Sequence, residues 1–231
     1  QLPGRTQPGS QALSDTAKTA MRGCLITLEG GEGAGKSSAL AVLRDGLVAR
    51  GISPILTREP GGTRMGEAIR LLVLDRELGP VAAECELLLM FAARAQLVQE
   101  VIRPALERGE WVLSDRFTDA SFAYQGAGRG QPLERIAALE AWATQGIRPD
   151  LTLLLDLPSA TGLARAGLRS EPDRIEREDL GFFDRVRAGY RERAAAEPAR
   201  FRVIDAASDI ESVGRQVREA LTAFLSQRGL G

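Results

Sequence analysis

Residues 24–43 read CLITLEGGEGAGKSSALAVL, in which a short apolar run leads into a glycine-rich loop and then into a segment with helical spacing. The loop at 30–37, called the phosphate loop below, fits the pattern GxxxxGK(S/T). Small residues allow successive backbone N–H groups to curl around a phosphate, and the start of a following helix adds partial positive charge. Because the match lies between a strand-like and a helix-like segment, it predicts a nucleoside triphosphate site.

Each residue type in this loop has an expected role. We expect Lys36 to reach the β- and γ-phosphates of the nucleotide and the Ser37 hydroxyl to hold Mg²⁺. Lys36 is one of only two lysines among 30 basic residues, the other being Lys18, and an arginine would crowd a loop that needs a compact ammonium. The residues predicted to surround the nucleotide phosphates are Gly30, Gly31, Glu32, Gly33, Ala34, Gly35, Lys36, Ser37 and Ser38.

The rest of the chain alternates short apolar runs with segments at helical spacing. Continuous rather than alternating hydrophobicity predicts strands covered on both faces, as in a parallel sheet. Strand–helix repetition predicts a three-layer α/β domain, here one domain over 21–231. The strand candidates are 24–29, 54–59, 111–115, 151–157 and 201–205. The helical candidates are 36–50, 64–74, 81–108, 132–145, a charged stretch around 160–195, and 209–227.

The composition excludes several functional classes. The 231 residues carry a net charge of −1, which excludes a large basic surface for nucleic acid. With no histidine, the chain has no Ser-His-Asp triad and no His-ligated metal. No apolar run is long enough to span a membrane. Cys24 and Cys85 lie far apart with no CxxC spacing, and we expect them to be small reduced core residues of a cytoplasmic protein. The polar residues 1–20 predict a flexible leader.

The acidic residues at strand ends bear on the metal. A GTPase would normally need an NKxD element, which a chain without asparagine cannot have. We expect Asp115, at the end of the 111–115 run, to act on Mg²⁺ directly or through water, with Asp156 as the competing candidate. Asp115 is favoured because Arg116 follows it, which places a carboxylate for metal beside a guanidinium for phosphate.

The arginine-rich stretch 161–200 has two interpretations. Its arginines, interleaved with acids, can form a solvated helix face with i,i+4 ion pairs. Alternatively, a segment interrupted by Gly162, Gly167 and Pro172 can be a mobile arm that closes over an anionic ligand. Composition alone does not choose between them.

Five segments together resemble bacterial thymidylate kinases. They are TLEGGEGAGKSS, LTREPGGT, MFAARAQ, SDRFTDASFAYQGAGRG and DRIE, in the order and at the spacing of that family, and the resemblance covers nearly all of 22–227. It implies a P-loop kinase fold with a five-stranded parallel sheet, helices on both faces and an arginine-bearing lid. It further implies ATP-dependent phosphorylation of dTMP to dTDP in dTTP biosynthesis, usually by a homodimer.

The resemblance also implies an acceptor site. Glu59 would lie near the metal and the sugar, and Tyr124 would pack below the sugar and disfavour a ribose 2′-OH. Further roles are binding of the dTMP phosphate by Arg70 and Arg116, hydrogen bonding of the thymine carbonyl by Arg94, and other base contacts by Ser121 and Gln125. Where the family commonly stacks a phenylalanine on thymine, four residues before Arg94, this chain has Met90 with Phe91 beside it, and either residue is a candidate.

The resemblance also predicts where a catalytic arginine lies. Some family members have a catalytic arginine inside the phosphate loop, but here those positions hold residues 31–34. Members without it supply the arginine from the lid, and one positioned arginine can supply ~10³–10⁵ in rate. A lid at about 161–177 is therefore expected, with Arg165 and Arg169 catalytic beside Lys36 and Arg116. The arginines beyond Arg177 are expected on a solvated helix face, and adenine near Asp205 and Ala206.

Overall fold

All five strand predictions are confirmed in the computed structural model, which describes residues 22–168 and 171–230. The strands are β1 (Leu25–Glu29), β2 (Ile55–Arg58), β3 (Val112–Asp115), β4 (Leu151–Asp156) and β5 (Phe201–Asp205). They form one parallel sheet in the order β2-β3-β1-β4-β5. After β1 the chain crosses to β2 at one edge of the sheet, and after β3 it crosses to β4 on the other side of β1. Because these two connections run in opposite directions, a crevice opens at the carboxyl ends of β1 and β3, where ligands of such sheets bind.

Two helical layers cover the sheet, as the three-layer fold class predicts. On one face, α1 (Lys36–Val48) and α9 (Ile210–Gln227) pack through Leu43 and Phe224 against Ile26. On the other face lie α3 (Ala83–Leu97) and α8 (Leu180–Ala196), with Leu25 buried there beside Leu97. Alternate residues of β1 thus serve both cores, which explains its unbroken hydrophobic run.

The remaining helices complete these layers. They are α2 (Arg64–Leu74), α4 (Arg103–Glu107), α5 (Thr118–Ser121), α6 (Leu133–Thr144) and α7 (Ser159–Gly167). The predicted helix 81–108 is continuous but contains a π-helical turn, Val98–Ile102, between α3 and α4. A second π-helical segment, Phe122–Gly128, follows α5, and sequence periodicity had assigned no helix there.

The charged stretch around 160–195 differs from the prediction of a single segment. It divides into α7 and α8, and Gly162 lies inside α7 rather than interrupting an arm. A Cβ atom on Gly162 would lie 2.3 Å from the carbonyl oxygen of Glu32, and one on Gly33 would lie 2.0 Å from that of Gly162. These glycines therefore let α7 pack directly on the phosphate loop.

The predicted leader 1–20 and Arg169 lie outside the described residues. Across the part of the chain that the structure describes, none of the helices combines the length and the apolar character needed to cross a membrane.

Candidate active site

A cavity of about 410 Å³ opens at the carboxyl ends of β1, β2 and β3 and brings together most of the predicted site residues. Residues of the phosphate loop and of α3 form parts of its wall. The predicted residues that line it are Glu32, Gly33, Ala34, Gly35, Lys36, Ser37, Glu59, Arg70, Met90, Arg94, Asp115, Arg116, Ser121, Tyr124 and Gln125. Gly30 and Gly31 line a small adjoining hollow behind the loop. Ser38, Phe91 and Arg165 do not line the cavity.

The phosphate loop is arranged to receive an anion. Helix α1 begins directly after Gly35, without a side-chain cap or an acidic residue in its first turn, so its first N–H groups are left for a ligand. The Lys36 ammonium folds back on the loop and donates to the carbonyl oxygens of Gly30 (3.2 Å) and Gly31 (2.9 Å). Burial, followed by the neighbouring charge of Arg116, lowers the pKa of Lys36. The ammonium of Lys36 and the free N–H groups of α1 are both groups that bind phosphate.

Arg116 stands between the loop and the rest of the cavity. Its guanidinium donates to the carbonyl oxygen of Gly30 (3.0 Å) and to Oε1 of Glu32 (2.7 Å), and it lies 4.8 Å from the ring centroid of Tyr124. The Tyr124 hydroxyl donates to the same Glu32 oxygen at 2.8 Å. Glu32, predicted at the donor phosphates, thus directs its carboxylate toward Arg116 and Tyr124.

Most N–H groups of the Arg94 guanidinium contact neighbouring residues. Nε donates to Oε2 of Glu59 at 2.8 Å, Nη2 forms an ion pair with the same oxygen and donates to the Phe117 carbonyl oxygen at 3.1 Å, and Nη1 donates to Oγ of Ser121 at 3.0 Å. Each Nη atom carries two N–H groups, so the contact with Ser121 leaves one Nη1 proton. Arg94 is only 2% exposed and lines the cavity. One fixed donor is therefore available to a ligand.

Glu59 was expected near the metal and the sugar, and the structure places it against Arg94. The closest approach, Oε2 to Nη2, is 2.6 Å, and both side chains are buried. Burial raises the pKa of Glu59 while the Arg94 charge opposes this. Oε1 has no hydrogen-bond partner among the described residues. The main visible effect of Glu59 is to orient Arg94.

Met90 and Phe91 have different surroundings. Met90 is half-buried and lines the cavity. Phe91 is buried in a cluster with Leu87 and Phe122, and its ring centroid lies 4.5 Å from the guanidinium carbon of Arg94. Of the two candidates for stacking on a base, only Met90 faces the cavity, because the turn of α3 directs Phe91 behind Arg94.

The two carboxylates proposed for a metal also differ. Asp115 lines the cavity, and its buried Oδ1 has no hydrogen-bond partner among the described residues. Asp156 instead accepts two hydrogen bonds from Arg187, at 2.7 and 2.9 Å. Ser37 lines the same cavity as Asp115. Mg²⁺ commonly uses one or two protein oxygens together with phosphates and water, so Asp115 and Ser37 fit such an ion.

Of the two predicted lid arginines, only Arg165 is among the described residues, and it does not line the cavity. Arg165 is exposed on α7, and its Nη1 donates to the Ala206 carbonyl oxygen at 3.0 Å, in the loop expected near adenine. Arg174 turns away from the cavity and donates to Glu86 at 2.7 Å.

The expectation that the arginines beyond Arg177 form a solvated helix face is wrong for several of them. Besides Arg187 with Asp156, Arg193 and Arg200 bind the fully buried Asp119 at 2.9 and 2.7 Å. These ion pairs connect α8 and the residue before β5 to α5 and to the end of β4. The partners lie far away in sequence, so local spacing gives no sign of them.

Arg58, in the LTREPGGT segment that resembles the loop lining the monophosphate site, lines the cavity, and burial, followed by the charge of Arg58, lowers the pKa of Arg70. Sequence reasoning assigned no individual role to several other residues that shape the site. Asp173 and Glu176 of the DRIE segment also line the cavity, and the motif itself was the available signal. Buried Tyr190 accepts from Arg116 at 3.1 Å, although nothing in the pattern of α8 singled it out.

Comparison with known proteins matches the sequence of this chain to one family. The family model described as thymidylate kinase matches residues 28–217. The thymidylate kinase of Alkalilimnicola ehrlichii is 55% identical over 207 residues, covering 89% of this chain and 95% of the relative. That of Alcanivorax borkumensis is 56% identical over 197 residues (85% and 95%), and that of Pseudomonas syringae pv. tomato 54% over 210 residues (90% and 100%).

Proposed function

The chain belongs to the thymidylate kinase family, nucleoside monophosphate kinases that phosphorylate dTMP to dTDP with ATP as donor, and we propose that its cavity is divided into a donor half and an acceptor half. The phosphate loop forms the donor half, and α3 with the Phe122–Gly128 segment forms the acceptor half. The observation that carries this division is that Lys36 and Arg94 line the same cavity while Arg116 stands between them.

In the acceptor half, separate groups hold the base and the phosphate of dTMP. The free Nη1 proton of Arg94 donates to a carbonyl of thymine, Ser121 and Gln125 contact the rest of the base, and Met90 packs on its face. The phosphate meets Arg70 and Arg116, whose guanidinium groups suit bidentate contacts with phosphate. The remaining acceptor-side residues, Glu59 behind Arg94 and Tyr124 below the sugar, position these contacts.

In the donor half, ATP binds on the phosphate loop. Lys36 exchanges its contacts with the carbonyl oxygens of Gly30 and Gly31 for the β- and γ-phosphates. Ser37 and Asp115 are the residues that would hold Mg²⁺, and the orphaned Oδ1 of Asp115 supports that role. The ion would neutralise charge on the phosphates when bound.

The protein contributes little covalent chemistry to the transfer. In-line placement of dTMP, with Lys36 and Arg116 stabilising negative charge, accounts for most of the catalysis. Closure of a lid at about 161–177, bringing Arg165 and Arg169 to the γ-phosphate, would complete the site and exclude water, without which ATP hydrolysis would compete.

Coupled ADP release with each deoxynucleoside monophosphate tests this division. We expect dTMP to give at least about tenfold more turnover than dCMP or dGMP, because cytosine has an amino group in place of the O4 carbonyl of thymine and guanine is a larger purine. Lys36→Met should abolish turnover, and Lys18→Met, the matched change at the other lysine, should leave it intact. Turnover with dCMP equal to that with dTMP, or ATP consumption independent of any acceptor, would contradict the proposal.

The assembly is the second part of the proposal. The family resemblance implies a homodimer, and an uncharged exposed stripe on α3 supports it, formed by Leu88, Ala92 and Cys85, which is exposed and not the core residue that was expected. The adjoining helices α2 and α6 expose Leu72 and Trp142. A cytoplasmic location is supported by the two unpaired cysteine thiols, which persist in a reducing compartment.

A further inference from the structure

Glu86 is a buried carboxylate that lies behind the cavity rather than in its wall. It occupies the first turn of α3 and is 1% exposed. Arg129 donates to both of its oxygens, at 3.2 and 3.1 Å, and Arg174 donates to Oε2 at 2.7 Å. The fourth donor is Nε2 of Gln125, at 3.0 Å from Oε1. Gln125 is the only one of these partners that lines the cavity.

The charge of Glu86 decides which way the Gln125 amide points. Burial opposes ionisation, but hydrogen bonds from Arg129, Gln125 and Arg174 hold the pKa of Glu86 below its usual value. An ionised carboxylate can only accept hydrogen bonds, so it must face the amide nitrogen of Gln125 and not the carbonyl oxygen. No described residue donates to that carbonyl oxygen, which leaves it for a ligand in the cavity.

We propose that Glu86 is a positioning residue that holds the carbonyl oxygen of Gln125 toward the base and thereby makes the site select thymine over cytosine. The inference rests on the proposed acceptor half. Thymine offers an N3–H donor and an O4 acceptor, which match the Gln125 carbonyl oxygen and the remaining Arg94 proton. Cytosine offers an N3 acceptor and a 4-amino donor, so both contacts are mismatched while the amide cannot turn over.

The same carboxylate also fixes part of the cavity wall. Arg174, held by Glu86, donates through Nε to the Val73 carbonyl oxygen at 2.7 Å. Its neighbours Asp173 and Ile175 line the cavity. Glu86 therefore joins the Gln125 amide to the segment that precedes α8.

The ratio of kcat/KM for dTMP to that for dCMP measures the orientation of the amide. In Glu86→Gln the new amide keeps its oxygen at the Oε2 position, where Arg174 and Nη2 of Arg129 donate two hydrogen bonds, and loses only the weaker contact from Nε of Arg129. Its NH2 then faces Gln125, whose own amide rotates and offers NH2 to the base. We expect the ratio to fall about tenfold or more, since leaving a buried polar group unpaired carries a penalty of that size. Both substrates are measured on one preparation, so the fraction of folded enzyme does not affect the ratio of the two kcat/KM values.

Two matched variants separate the possible failures. Arg129→Met breaks the same ion cluster but keeps the contact between Glu86 and Gln125, and should leave the ratio within about twofold of wild type. Gln125→Leu should lower the ratio. If it does not, Gln125 does not contact the base and the proposed acceptor half is wrong. If Gln125→Leu lowers the ratio and Glu86→Gln leaves it at the wild-type value, only the role of Glu86 is overturned.

A measurement on the unmodified enzyme covers the case in which Glu86→Gln does not fold. With ¹⁵N-labelled glutamine side chains, the NH2 signals of Gln125 are assigned by their loss in Gln125→Leu. We expect these protons to exchange slowly with solvent, both without nucleotide and with dTMP bound, because they face a buried carboxylate. Rapid exchange in either state would show that the amide turns freely and would overturn the inference.

Discussion

Arg116 is held in a backbone conformation that few residues adopt. Its φ of 70° lies in the left-handed region, which costs a non-glycine residue about 1–3 kcal/mol. The turn is fixed on both sides, because the Arg116 N–H donates to the Leu28 carbonyl oxygen at 2.9 Å and Ser114 Oγ donates to the Arg116 carbonyl oxygen at 2.6 Å. This backbone conformation directs the guanidinium to a position between the proposed donor and acceptor halves of the cavity.

Glu29 supports this turn from beneath. Its Oε1 accepts from the Phe117 N–H at 2.7 Å, and its Oε2 accepts from the Tyr190 hydroxyl at 2.9 Å. Tyr190 in turn accepts from Arg116. Burial, followed by the nearby charge of Asp119, raises the pKa of Glu29 to about 8. A carboxyl at the end of β1 thus has a positioning role that its place in an apolar run did not indicate.

The raised pKa predicts a pH-dependent stability. Between about pH 4.5 and about pH 8 the folded protein keeps the Glu29 proton while the unfolded chain loses it, so unfolding becomes easier as pH rises. Glu29→Gln lacks this effect. We expect its stability relative to wild type to increase with pH across that window, by at most about 1.4 kcal/mol per unit, and to level off above it.

Urea unfolding of both proteins at several pH values, without nucleotide, provides the comparison. The exposed Glu134→Gln on α6 is the control for removing a carboxylate from the surface. Parallel stability curves for Glu29→Gln and wild type would mean that Glu29 is ionised in the folded protein.

At the scale of elements, α7 is the piece that joins the phosphate loop to the proposed lid. It packs on the loop through Gly162 and carries Arg165 on its exposed side. Arg165 contacts the carbonyl oxygen of Ala206 rather than the cavity, so a catalytic role requires α7 or the segment after it to move. Such closure is a familiar step in enzymes that must keep water from a reactive phosphate.

The lid proposal predicts the effect of removing its arginines. The double variant Arg165→Ala/Arg169→Ala should lower kcat more than tenfold with a modest change in KM for ATP, because the lost charge acts on the transferring phosphate. Steady-state kinetics provide the measurement, and Arg218→Ala, an exposed arginine on α9, is the control. An unchanged kcat in the double variant would contradict the proposal.

Sequence patterns predicted the elements well and the long-range pairs poorly. The phosphate loop and the five strands were predictable because each depends on a local run of residues. The partners of Arg187 and Arg200 were not, because Asp156 and Asp119 lie 31 and 81 residues away. Met90 and Phe91 could not be separated either, since the rotation of α3 is set by packing with other helices.

At the scale of the whole molecule, three neighbouring helices leave an apolar surface without a covering layer. Met65 and Leu72 of α2, Leu88 of α3, and Leu133 and Trp142 of α6 are all large, apolar and about half or more exposed. Helix α3 packs against both α2 and α6, so these residues belong to one side of the domain. Surfaces of this kind usually mark an interface between proteins.

A second copy of the chain is the occupant that the family resemblance implies, and it predicts a specific dissociation. Leu88→Glu places a charge in the middle of the surface, where burial against a partner would desolvate it, and should convert a dimer to a monomer. Sedimentation velocity provides the measurement. Ile210→Glu, at an exposed apolar site on the opposite face of the sheet, should leave the dimer intact. A wild-type monomer at micromolar concentration, or a Leu88→Glu dimer of unchanged affinity, would exclude this surface as the interface.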